Sequence, residues 1–119
     1  MNGTLTLGEN IADLGGSRWR ATRYRKALAD AGKAPDETID GSTRDQRFFL
    51  NWATVWRRNY KPEDLRVRLR VDPHAPANFR AIGGPSNLVP FAGAFGCAQG
   101  DADGASRGRA RSSSGEFTR

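Results

Sequence analysis

The clearest pattern of apolar and polar positions lies between residues 42 and 61. Five large apolar side chains recur there at spacings of three and four: Phe48, Phe49, Trp52, Val55 and Trp56. That period places them on one broad face of a helix. Ser42 or Thr43 can cap this helix, and Asp45 suits the positive end of its dipole. The pattern predicts a buried helix that begins at one of these two residues.

The segment from Pro62 to residue 76 carries two patterns at once. Pro62 followed by Glu63 and Asp64 is typical of a helix start. Residues 65–71 then alternate strictly between apolar side chains and arginine, which is the period of a strand. Since the start signal precedes them, we predict a helix. It ends in residues 72–76, because a residue that precedes proline avoids the helical region.

Three further segments carry weaker signals. Residues 9–14 are a brief helical candidate, which Gly15 and Gly16 are expected to stop. Residues 33–41 are expected to form a linker. Residues 86–95 are a last short helical candidate with one apolar side.

The C-terminal residues differ from the rest in composition. From residue 99 onward Phe117 is the one large apolar residue, among many Gly, Ser, Ala and Arg. Such a segment buries too little apolar surface to fold. We therefore predict a mainly α protein with one folded part, residues 1–97, and a disordered tail, residues 98–119.

The formal net charge of +6 invites a nucleic-acid or membrane-surface function. Most of it lies in residues 17–33, where six basic residues face one acid. A small basic nucleic-acid binder that uses Trp19, Tyr24 and the neighbouring arginines is one alternative. Arginine-rich segments are more often simply solvated. We therefore predict no nucleic-acid partner.

Several other classes are excluded by what the sequence contains. Cys97 is the single cysteine, so neither an intramolecular disulfide nor a cysteine-based zinc site is expected. No apolar run approaches the roughly 20 residues that span a bilayer. Residues 1–8 lack the charged and apolar regions of a signal peptide. We expect no membrane segment in this chain.

Two carboxylates stand out in the first segment. Glu9 and Asp13 lie four residues apart, so they share one face of a helix. One interpretation is that both are solvated carboxylates. The other is a metal site, in which one carboxylate binds the ion and the other orients a histidine ligand. The second interpretation requires two histidines, and His74 is the single histidine here.

Three motifs occur in order along the chain. Residues 2–16 read NGTLTLGENIADLGG, residues 41–50 read GSTRDQRFFL, and residues 72–80 read DPHAPANFR. They resemble the motifs of the neprilysin family of zinc endopeptidases, which includes the endothelin-converting enzymes. The resemblance covers residues 1–16 and 36–97. It implies the C-terminal portion of a thermolysin-like (gluzincin) catalytic domain.

The resemblance also implies roles for four residues. Glu9 matches the third zinc ligand, and Asp13 matches the aspartate that orients a histidine ligand. His74 matches the histidine that stabilises the tetrahedral intermediate, and Arg80 matches the arginine that contacts the substrate backbone. Read without the family, His74 between two prolines is a turn residue and Arg80 a surface arginine. A protonated imidazole beside a guanidinium would nevertheless suit an oxyanion.

In that family an upstream HExxH helix supplies two histidine ligands for Zn²⁺ and the glutamate base, and this sequence has no HExxH. We therefore expect a C-terminal fragment of a zinc metalloendopeptidase that is inactive alone. Its partners would be peptide substrates and the missing N-terminal part of the same enzyme. The parent enzyme is expected outside the cytoplasm. The alternative is a non-enzymatic remnant or binding module.

Two stretches depart from the family pattern. Residues 17–23 carry arginines where the family has an apolar helix, and residues 98–119 replace its C-terminal end. A shifted reading frame in both stretches is one hypothesis. Arginines on a face that packs would leave buried charges unpaired.

Overall fold

The computed structural model describes residues 1–98 and 100–101. Within them the chain is mainly helical, as predicted, and a single short hairpin interrupts the helices. The elements are α1 (Gly3–Asp30), β1 (Thr38–Ile39), β2 (Ser42–Thr43), α2 (Arg44–Val55), α3 (Pro62–Val71), α4 (Ala77–Gly83), a 3₁₀ turn (Pro85–Asn87) and α5 (Val89–Phe95).

Helix α1 is far longer than predicted. Asn2 caps its start by accepting hydrogen bonds from the backbone N–H groups of Thr4 and Leu5. The helix then continues through Gly15 and Gly16, so the prediction that they stop it was wrong. A glycine inside a helix costs only about 1 kcal/mol relative to alanine, and the small residues that follow pack against the rest of the chain.

The arginines of α1 do not create buried unpaired charges in the described residues, so that expectation was also wrong. The helix turns Ser17 and Ala21 inward, while Arg20 and Arg23 remain exposed. Arg25 pairs with the buried carboxylate of Asp45 at the start of α2. The segment is therefore compatible with packing through its small residues.

The predicted linker contains a tight hairpin. Strands β1 and β2 are antiparallel, with Thr38 opposite Thr43 and Ile39 opposite Ser42. Asp40 and Gly41 form the turn and both have positive φ, 51° and 78°. Asp-Gly is a typical pair for such a turn, so the signal was present in the sequence.

Helix α2 confirms the clearest sequence pattern. Of the two candidate caps, Thr43 is the one used, and it forms a reciprocal capping box with Gln46. The Phe49 ring is the buried centre of this helix, with the Phe91 ring centroid 5.3 Å away in α5. Val55, predicted to be on the buried face, is the last residue of the helix and is exposed.

Helix α3 also confirms its prediction, with Pro62 in its first turn and its end at Val71. The predicted helix over residues 86–95 is present but divided. Leu88 has an extended backbone that separates the 3₁₀ turn from α5, and the proline at residue 90 has no N–H to continue a helical ladder. None of the sequence patterns described above predicts helix α4.

The predicted disordered tail falls mostly on residues 99 and 102–119, which lie outside the described residues. In the described part of the chain no helix is both long and apolar enough to cross a membrane.

Candidate active site

The four residues singled out in the sequence meet at one place. Glu9 and Asp13 come from α1, His74 from the loop after α3, and Arg80 from α4. His74 Nε2 lies 3.2 Å from Glu9 Oε2. Arg80 Nη2 lies 3.9 Å from the same oxygen. Two basic groups therefore approach one carboxylate oxygen from different elements.

Close packing of α1 against α4 and the 3₁₀ turn makes this meeting possible. A Cβ atom on Gly84 would lie 3.3 Å from Ser17 Oγ and 3.5 Å from the carbonyl oxygen of Asp13. The missing side chain at Gly84 thus lets the end of α4 approach α1. The approach brings Arg80 onto the face that carries Glu9 and Asp13.

Arg80 and Asp13 form a bidentate ion pair. Arg80 Nε donates to Asp13 Oδ2 at 2.6 Å, and Nη2 donates to Oδ1 at 2.8 Å. The two side chains are only 15% and 13% exposed. The hydrogen bond to Asp13 raises the pKa of Arg80 above its ordinary value, against the opposing effect of burial. The guanidinium therefore remains charged.

Two tryptophans of the α2 region hold Arg80 from the other side. The guanidinium carbon lies 4.2 Å from the ring centroid of Trp56, within the range of a cation–π contact. Trp52 Nε1 donates to the carbonyl oxygen of Arg80 at 3.2 Å. Arg80, which the sequence alone would place at the surface, is thus a mostly buried and firmly held cation.

Asp72 is a site residue that sequence reasoning did not name. Its Oδ1 accepts the backbone N–H of His74 at 2.9 Å and lies 2.9 Å from Nδ1 of the same residue. These bonds, the backbone one first, lower the pKa of Asp72 below its usual value. An aspartate two residues before a histidine is a local signal for such a turn.

Two concave surfaces flank the cluster. A cleft of about 230 Å³ has His74, Arg80 and Trp56 among its lining residues. A more apolar groove of about 470 Å³ lies beside Asp13 and Arg80, and its lining includes exposed Leu7 and other apolar side chains of α1 and α4. Three of the four site residues thus line these surfaces: His74 and Arg80 line the cleft, and Asp13 and Arg80 line the groove.

The donor set of this chain fits zinc only in part. The described residues hold no group of three or more His, Cys, Asp or Glu side chains that could hold a metal ion. Glu9 is half-exposed and can offer a carboxylate oxygen, whereas both oxygens of Asp13 already accept from Arg80. At this cluster the described residues thus offer one carboxylate oxygen, so a zinc site here would need further ligands.

Comparison with known proteins gives a consistent result. The model of peptidase family M13 matches residues 1–109. Human membrane metallo-endopeptidase-like 1 is 43% identical over 102 residues, which are 84% of this chain and 13% of that protein. Rabbit (Oryctolagus cuniculus) neprilysin is 40% identical over 99 residues, 82% of this chain and 13% of its own length.

A solved structure is similar as well. The inhibitor complex of the zinc metalloprotease Zmp1 of Mycobacterium tuberculosis matches with a TM-score of 0.80 and 38% identity, and the match covers 90% of this chain and 16% of that one. The chain therefore spans only about one seventh of the length of the proteins it matches. By this sequence and structural similarity, the chain belongs to peptidase family M13, a family of zinc metallopeptidases.

Proposed function

We propose that this chain is the C-terminal part of a zinc metalloendopeptidase and is inactive without the part that carries HExxH. The observation that supports the proposal is the convergence of His74 and Arg80 on the carboxylate oxygen of Glu9. Basic side chains held beside a metal ligand can stabilise negative charge that develops next to the metal.

Each of the four residues has a distinct part in this proposal. Glu9 is the third zinc ligand, and the other two come from outside this chain. His74 donates from Nε2 to the oxyanion that forms on the scissile carbonyl. Arg80 contacts the substrate backbone, and Asp13 holds its guanidinium in place. Asp13 retains lone pairs with which to orient a histidine ligand as well, because a carboxylate has about four acceptor sites.

Zinc, when bound, would polarise the scissile carbonyl and lower the pKa of a bound water. The residues of this chain orient the substrate and stabilise charge. The substrates are peptides, and the parent enzyme acts outside the cytoplasm, in line with the motifs that the chain shares with the neprilysin family.

The partner in this proposal is the upstream part of the same enzyme. The apolar groove beside Asp13 and Arg80 is the surface on which it would pack. Leu7 and Ile11 on α1 and Phe79 on α4 are exposed there, and apolar side chains grouped in this way indicate a covered surface. A covering part at this position would lie next to Asp13 and Arg80.

The experiment is reconstitution. The chain is mixed with a separately produced upstream M13 part that carries HExxH, and cleavage of a fluorogenic peptide is measured. We expect cleavage that a chelator abolishes and added zinc restores. Glu9→Gln should remove it, while Glu63→Gln, an exposed glutamate in the first turn of α3, should not. Failure to restore cleavage would favour the non-enzymatic remnant.

A further inference from the structure

We propose that Arg68 is a positioning residue for His74 and acts on it through Asp72. This inference rests on the function proposed above, because it concerns how His74 is held for its task. Arg68 belongs to α3, is not one of the residues suggested by the resemblance, and touches neither Glu9 nor Arg80 in any contact described above.

A continuous chain of contacts runs from Arg68 through Asp72 and His74 to Glu9. Arg68 Nη1 donates to Asp72 Oδ2 at 2.7 Å. The other oxygen of Asp72, Oδ1, accepts a hydrogen bond from the backbone N–H of His74 at 2.9 Å. The same oxygen lies 2.9 Å from Nδ1 of the His74 ring. The opposite ring nitrogen, Nε2, then faces Glu9 at 3.2 Å. Each carboxylate oxygen of Asp72 thus has its own partner.

This division of oxygens determines where the imidazole points. A carboxylate accepts and does not donate, so Nδ1 carries a proton when it bonds Asp72. That bond directs Nε2 toward Glu9 and the cleft. If Oδ2 lost its partner, the contacts with His74 alone would hold the Asp72 carboxylate. The carboxylate would then rotate more freely, and the His74 ring would have a less fixed acceptor.

Arg68 is itself held in a defined position. Its guanidinium carbon lies 5.7 Å from the centroid of the Tyr60 ring, a cation–π distance. Tyr60 is in turn tied to the start of α4, since its hydroxyl accepts the N–H of Ala77 at 3.2 Å. The backbone N–H of Asp72 donates to the carbonyl oxygen of Arg68 at 3.0 Å. The contacts of Arg68 and Tyr60 therefore link the end of α3 to α4, the helix that carries Arg80.

A simple surface ion pair is the competing explanation. Arg68 and Asp72 are an i, i+4 pair with an exposed arginine, and such pairs change a helix equilibrium by only about twofold. Removal of a purely stabilising pair would speed solvent exchange at both ring N–H groups of His74. Removal of a positioning residue would speed exchange at Nδ1–H and leave exchange at Nε2–H unchanged. The two ring N–H groups of His74 distinguish these cases.

The experiment measures solvent exchange of the two imidazole N–H protons by ¹⁵N NMR in mildly acidic solution. His74 is the single histidine, so its signals are unambiguous. In the wild-type chain we expect a protected Nδ1–H. Arg68→Ala should raise its exchange about twofold, the factor that corresponds to the energy of such a pair, with no change at Nε2–H. Arg68→Lys, which keeps a cation, should restore most of the protection.

Two further variants complete the test. Arg66→Ala removes another exposed arginine of α3 and should leave both protons unchanged. In an Asp72→Asn background, Arg68→Ala should have no further effect on Nδ1–H, because the intermediary is gone.

Three results would overturn the proposal: equal loosening of both protons, an effect of Arg68→Ala that persists without Asp72, or a wild-type Nδ1–H as unprotected as that of free histidine. None of these readings depends on zinc or cleavage. The inference can therefore fail while the proposed function stands, and the reverse is also true.

Discussion

Arg80 and Asp13 are joined by two hydrogen bonds of 2.6 and 2.8 Å across 67 residues of sequence. The residue expected to contact the substrate backbone is therefore bonded to the residue expected to orient a metal ligand. Both side chains are mostly buried. The pair connects α1 to α4, so it contributes to stability as well as to the geometry of the site.

Breaking this pair should destabilise the chain strongly. Arg80→Ala leaves the Asp13 carboxylate buried without its partner, and it removes the contact with the Trp56 ring. Removal of one member of a buried pair typically costs about 3–5 kcal/mol; because this pair is partly exposed, we expect about 3 kcal/mol, measured by urea unfolding. Arg66→Ala on the exposed face of α3 should change the free energy of unfolding by less than about 0.5 kcal/mol. Equal effects of the two substitutions would contradict the role given to the pair.

The contact between α4 and α1 predicts different outcomes for two adjacent glycines. Gly84→Ala would press a methyl group against Ser17 Oγ at 3.3 Å, and we expect a loss of about 1 kcal/mol, at the low end for overpacking. Gly83→Ala meets no atom within 4 Å and should be neutral or slightly stabilising. Thermal unfolding of both variants measures the difference.

Ser17 provides the internal control for that prediction. Its hydroxyl is buried and has no hydrogen-bond partner in the described structure. Ser17→Ala removes the unpaired hydroxyl, whose oxygen is also the nearest atom that Gly84→Ala would meet. In this background Gly84→Ala should lower the free energy of unfolding clearly less than it does in the wild type. A cost that remains the same would mean that Ser17 is not the obstacle.

Acidification should weaken the turn that holds His74. The hydrogen bonds from His74 lower the pKa of Asp72 in the folded chain, so the carboxylate contributes stability above its unfolded pKa. That contribution is lost as pH falls through the lower, folded pKa, that is, below about pH 4. The difference in unfolding free energy between the wild type and Asp72→Asn should therefore shrink between neutral pH and about pH 3. Asp36→Asn, an exposed aspartate before β1, should show no comparable difference at neutral pH. A wild-type advantage over Asp72→Asn that stays constant down to acid pH would contradict the assignment.

Local signals explain which elements the sequence allowed us to predict. The start of α2 at Thr43 and the start of α3 at Pro62 depend on caps and spacing within a few residues. Gly15 and Gly16 misled the prediction because glycine preference is a weak local effect that packing can outweigh. The close approach of Gly84 to α1 involves residues distant in sequence, so no local pattern could reveal it.

The site was predictable to a similar degree. The spacing of Glu9 and Asp13 placed them on one helix face, and the resemblance added His74 and Arg80. The bond between Arg80 and Asp13 has no local signal, because α1 and α4 meet only in the folded chain. Asp72, two residues from His74, did have a local signal that was overlooked.

The most direct test of the central claim is the zinc affinity of the assembly formed by this chain and an upstream HExxH part, measured by competition with a chelator. We expect one zinc ion per assembly. Asp13→Asn should lower the zinc affinity about 10- to 100-fold, as is typical of residues that hydrogen-bond to metal ligands. Glu9→Gln should lower the zinc affinity by a larger factor. The same zinc affinity with glutamine at residue 9 as with glutamate would contradict the assignment of Glu9 as a zinc ligand, and with it the proposed function.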